Sequence, residues 1–85
     1  MAVSFADRVA RVVRQNATPG TSAIEPETDL LEGGVLDSLG ILAVIADLES
    51  ELGCQIQRED VLPENFRTLV DVARLAEKAR RGSND

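Results

Sequence analysis

The 85-residue sequence has no histidine, tryptophan or tyrosine, and it holds one cysteine and two phenylalanines. Each shortage removes a class of function. Without His there is no Ser–His or Cys–His pair to activate a nucleophile. The single thiol, Cys54, cannot close an internal disulfide, and a Cys/His zinc site is excluded. So few aromatics leave little to stack on bases or sugars. Basic residues are short too: nine Lys and Arg face fifteen Asp and Glu, a net charge of −6. That balance argues against nucleic-acid binding and against docking on anionic membranes. The longest apolar run, Leu39 to Ala46, contains a glycine and falls far short of the roughly 20 residues of a membrane span. Met1 to Asp7 has neither a basic stretch nor a long apolar core, so no signal peptide is expected. One unpaired cysteine fits a reducing cytoplasm.

What is present describes one small globular domain. The chain is 44% apolar and 28% charged, and at this length it buries only about 60% of its unfolded surface. Its charge is segregated. Residues 25–64 hold eleven acids and a single base, Arg58. A basic partner would be steered to that stretch.

Periodicity predicts helices and no strand. Ser4 with Asp7 forms a capping box, followed by Phe5, Val9, Val12 and Val13 on one helical face. Thr18-Pro19-Gly20-Thr21 ends that helix. Residues 17–36 then form a long acidic loop, pinned to the core by Ile24, Leu30, Leu31, Val35 and Leu36. A loop of this length in so small a domain tends to be functional. A second helix is expected from Ser38 to Leu52, capped by Asp37 and stopped by Gly53. Ile41, Val44, Ile45, Leu48 and Leu52 share its core face. Leu39, Leu42, Ala43 and Ala46 form a second apolar strip, left over for partners; the alternative is that some of it packs under the long loop, Leu42 first. Cys54, Ile56, Val61 and Leu62 should pack a short connector. Pro63-Glu64-Asn65-Phe66 reads as one tight helical turn. Thr68 and Asp71 open a last helix with Leu69, Val72, Ala73, Ala76 and Ala79 on its buried face. The expected architecture is an all-α four-helix bundle, three longer helices and one short one, with the long loop between helices 1 and 2. Residues 1–81 make the domain and 82–85 a flexible tail.

The chemistry concentrates at Asp37-Ser38-Leu39. A serine at a helix start is more often a cap than a reactive group. Here it follows a long acidic loop, opens an amphipathic helix and borders the surplus apolar strip. Gly34-Val35-Leu36-Asp37-Ser38-Leu39-Gly40 resembles the phosphopantetheine attachment motif of acyl and peptidyl carrier proteins. The resemblance continues through Leu48 to Ile56, Glu59-Asp60 and Pro63 to Phe66, and spans roughly residues 5–80. It implies that Ser38 receives 4′-phosphopantetheine from coenzyme A through a separate phosphopantetheinyl transferase, which supplies the base and a divalent metal. The arm's thiol then carries an acyl or aminoacyl group. An adenylating ligase would load it, and an acyltransferase or condensing enzyme would unload it.

A phosphate on Ser38 would sit beside free backbone amides at the positive end of the helix dipole. Asp37 would act as helix cap and as a contact for the transferase. Leu39, Leu42, Ala43 and Ala46 would be the patch that partners read, with Asp47, Glu49 and Glu51 adding rim charge. Where the fatty-acid type usually has acids, this chain has Gly40 and Ala43. That is closer to D-alanyl carriers and to discrete carriers of specialised-metabolite pathways, with a type II fatty-acid or polyketide carrier and an unmodified helical adaptor as alternatives. No catalytic residue and no metal ligand is expected within the chain. A cytoplasmic monomer is expected.

Overall fold

The computed structural model describes residues 4–21 and 23–82. These residues form three α-helices, α1 (Phe5–Gln15), α2 (Ser38–Leu52) and α3 (Leu69–Gly82), with 3-10 turns at Arg58–Asp60 and Pro63–Phe66. Among the described residues there is no strand. The short fourth helix expected at 63–66 is a single 3-10 turn with Pro63 at its start. α3 runs through Gly82, and residues 83–85 of the expected tail lie outside the described residues. Residues 1–3 of the stretch from which the absence of a leader was read lie outside them too. No helix among the described residues is long and apolar enough to cross a membrane.

Local chemistry explains the helix ends. The Asp7 amide donates to Ser4 Oγ at 3.1 Å, satisfying one of the open donors of the first turn. The Asp7 carboxylate makes no return bond to Ser4, so only half of the expected box forms. At α3, Thr68 Oγ1 accepts from the Asp71 amide at 3.2 Å and donates to Asp71 Oδ2 at 3.0 Å. α2 stops at Gly53, whose φ of 64° is left-handed backbone that a side chain would strain.

α1 packs against both α2 and α3, and the 63–66 turn packs against α3. The core joins Val9, Val12 and Val13 of α1, Val44 and Leu48 of α2, and Leu69, Val72, Leu75 and Ala76 of α3, with Phe66 beneath them. Leu75 lies outside the stripe read from periodicity. α3 buries a wider stripe because it meets α1 on one side and the 63–66 turn on the other. Ile41, Ile45, Leu52, Ala73 and Ala79 pack at the core's margin.

Between α1 and α2 the described residues form turns and bends. Ile24, Leu30, Val35 and Leu36 are buried there and Leu31 is partly so. Backbone bonds stitch this segment down: Leu30 to Arg67 O at 2.6 Å, Leu36 to Leu30 O at 2.9 Å, and Thr18 to Val35 O at 2.9 Å. At Gly33 a Cβ would come within 2.5 Å of the Asp29 carbonyl oxygen, so the turn before Asp37 closes only around a glycine.

Val61 and Leu62 correct the sequence reading. They are 37% and 43% exposed, not packed with Cys54 and Ile56, which are buried. Ile56 and Phe66 anchor the two ends of this stretch in the core, and no residue from 57 to 65 is buried between them.

Candidate functional site

Ser38 is the first residue of α2 and is exposed. It does not cap the helix. That task falls to Asp37, whose Oδ1 accepts from the Gly40 amide at 2.7 Å. Among the described residues the Ser38 hydroxyl therefore has no hydrogen-bond partner, and the amides of Ser38 and Leu39 have no acceptor. Together they present an open hydroxyl beside two open donors at the positive end of a 15-residue helix.

Gly40 owes its place to a close approach. A Cβ there would lie 3.3 Å from Asp37 Oδ1, 3.3 Å from Leu36 Cδ2 and 3.4 Å from the Asn16 carbonyl oxygen. The end of α1 thus abuts the start of α2. Asn16 ties the two further: its side-chain amide donates to Val12 O and to Asp47 Oδ2, both at 2.9 Å.

The expected partner patch divides. Leu39 is 76% exposed and Leu42 60%, two large apolar side chains facing solvent on the turns that follow Ser38. Leu42 does not tuck under the long loop. At i+4 from Ser38 it faces the 61–63 segment instead. Ala46 is exposed and Ala43 half-buried. The acids beside them have internal partners. Asp47 accepts from Asn16, Glu49 Oε2 accepts from the Ile56 amide at 2.9 Å, and Glu51 pairs with Arg8 at 3.6 Å. Glu49 thereby fastens the chain that leaves α2.

Next to Ser38 lies a groove of about 270 Å³, lined by Ile41, Leu42, Val61, Leu62, Pro63 and Phe66. Among the described residues, Ser38 is the only polar one on it. Helical spacing from Ser38 could have pointed to Ile41 and Leu42. Nothing periodic marks the opposite wall, because it comes from irregular chain some twenty residues away.

Cys54 is buried and takes no part in this surface. Burial pushes its thiol above the ordinary range, and the neighbouring Glu49 carboxylate adds to the rise. Alkylation of Cys54 in the native protein should run at least about 10-fold slower than in denaturant. A rate equal to that of the unfolded chain, read by mass spectrometry, would contradict this burial. Among the described residues, no group of three or more His, Cys, Asp or Glu could hold a metal ion.

Comparison with known proteins gives one match. A family model described as phosphopantetheine attachment site matches residues 6–76. No curated protein and no solved structure matches the chain. The matched span runs from the first turn of α1 to the buried Ala76 of α3 and so takes in nearly all of α1, the whole of α2, the first half of α3 and the surface around Ser38. The chain belongs to the phosphopantetheine attachment family, whose members carry 4′-phosphopantetheine covalently on a serine.

Proposed function

We propose that the chain is an acyl carrier protein with Ser38 as its attachment serine. The observation that carries this reading is the open Ser38 hydroxyl at the start of α2, inside the matched span, with the capping role already filled by Asp37. These residues fit the group. The two unpartnered amides favour a phosphate on Ser38, and none of the described residues occupies the hydroxyl. When attached, the arm supplies the thiol that holds the acyl group as a thioester.

The chain's own part is positioning. No histidine is present, and no base is hydrogen-bonded to Ser38, so the hydroxyl proton leaves to the transferase. Asp37 holds the first turn of α2 and so fixes where Ser38 points. Leu39, Leu42, Ala43 and Ala46 supply the apolar surface for the transferase, for an adenylating ligase and for a downstream acyltransferase or condensing enzyme. The segregated acids around them steer basic partner surfaces. Asp47 contributes charge there but is held by Asn16. Gly40 and Ala43, where acids are usual in the fatty-acid type, support a carrier of specialised-metabolite or D-alanyl-type biosynthesis. The reading implies a cytoplasmic monomer that catalyses nothing itself.

Incubation with coenzyme A, magnesium and a broad-specificity transferase tests the reading by intact mass. The expected result is a gain of one phosphopantetheine; no gain on folded protein contradicts it. Leu39→Glu should slow loading by about 10-fold, the scale of losing an interface anchor worth about 1–2 kcal/mol. Because Leu39 is 76% exposed, its melting temperature should stay close to that of the wild type. Loading at the wild-type rate would remove Leu39 from the partner surface.

A further inference from the structure

We infer that Asn16 and Thr18, at the end of α1, are positioning residues that set Ser38 for modification by holding the chain on both sides of it. This rests on the reading that Ser38 bears the arm. Pro19 restricts the preceding Thr18 to extended backbone, so α1 cannot continue through it. The Thr18 amide, which a continuing helix would give to the Arg14 carbonyl, donates instead to Val35 O at 2.9 Å. The Thr18 hydroxyl donates to Gly34 O at 2.8 Å. Thr21 fixes Thr18 in that pose: its amide donates to Thr18 O at 3.2 Å, and its hydroxyl donates to the same oxygen. Thr18 thus holds two successive carbonyls just before Ser38.

Asn16 holds the other side. Its side-chain amide donates to Asp47 Oδ2 and, within α1, to Val12 O, both at 2.9 Å. Its carbonyl oxygen lies against Gly40, 3.4 Å from where a Cβ would be. The same short piece of chain therefore fastens the turn that leads into Ser38 and the helix that leads out of it. Both residues act through the backbone around Ser38, not on its hydroxyl.

The turn has need of such a hold. Gly34 sits at a φ of 73°, next to Gly33, and a pair of glycines has more backbone conformations to lose than other residues. The Thr18 bonds select one of them. Group transfer to a hydroxyl requires its oxygen at a narrow range of distance and angle, and a misplacement of about 1 Å can cost about 100-fold in rate.

The test follows single-turnover loading of the full chain from coenzyme A and magnesium, with a broad-specificity transferase in excess at a series of concentrations. Thr18→Val keeps the side chain's shape and removes its hydroxyl. Thr18→Val and Asn16→Ala should each lower the maximal rate by about 5–10-fold and leave the half-saturating transferase concentration within about 2-fold of the wild type. Thr18→Ser, which restores the hydroxyl, should load at the wild-type rate. Ala76→Gly, at a buried site in α3, controls for lost stability: it should melt several degrees lower and still load at the wild-type rate. An unchanged maximal rate in either variant, a loss confined to half-saturation, failure of Thr18→Ser to restore the rate, or an equal loss in Ala76→Gly each overturns the proposal. A folded wild-type chain that takes up no phosphopantetheine overturns the Ser38 reading and this proposal with it.

Discussion

Ser38→Ala should gain no phosphopantetheine under conditions that convert the wild type fully, while it folds and melts like the wild type. The chemical half of this expectation is simple: alanine has no oxygen to form the phosphodiester. The structural half comes from the geometry. Ser38 is exposed and its hydroxyl holds nothing in place, because Asp37 caps α2. Substitutions on exposed surface away from caps and turns usually stay within about 0.5 kcal/mol, and alanine is the better helix former. The neighbouring residue behaves in the opposite way. Asp37→Ala leaves the Gly40 amide without its acceptor and should cost about 1 kcal/mol. Loss of loading together with a lower melting temperature in Ser38→Ala would mean that the hydroxyl is structural. Circular dichroism melts beside intact masses separate the two.

Leu48→Ala should destabilise the domain by about 2–5 kcal/mol. Leu48 is 1% exposed and shares the core with Val9, Val13, Leu30, Phe66 and Val72. Truncating it removes buried methyl groups and leaves a cavity that three helices cannot close together. For a domain of this size, each kcal/mol lowers the melting temperature by about 4–8 °C. The loss is therefore a large share of the total stability, which for small domains is about 5–15 kcal/mol at most. Leu42→Ala on the same helix is the control. Leu42 is 60% exposed, and its truncation should leave the urea midpoint nearly unchanged. A midpoint that falls as far for Leu42 as for Leu48 would mean that α2 is rotated from the register described.

The helices were legible in the sequence because their signals are local. Asp37 and Gly53 mark the ends of α2 at the residues where the structure has them, and Val44 and Leu48 fall on the buried face that spacing assigns. The same holds for Ser4 before α1 and Thr68 before α3. The buried Ile24, Leu30, Val35 and Leu36 could also be read, as isolated apolar residues in an acidic stretch.

What could not be read depends on partners distant in the chain. Asp47, Glu49 and Glu51 look like solvated rim charges along one helix. Their partners are Asn16, the Ile56 amide and Arg8, and no local pattern announces those pairings. Val61 and Leu62 show the converse. Apolar residues between two turns read as buried, yet the core is already filled from both sides by Ile56 and Phe66. They are left facing Leu42, and that leftover apolar surface makes the groove at Ser38. The serine itself stood out by sequence. The wall opposite it emerged only from the fold.

The most direct test of the central claim is to locate the arm. The wild-type chain is loaded from coenzyme A, digested, and its peptides sequenced by tandem mass spectrometry. The account predicts phosphopantetheine on the peptide containing Asp37-Ser38-Leu39, at Ser38 alone among the five serines of the sequence. Phosphopantetheine on any other serine, or a folded chain that takes up none, would contradict it.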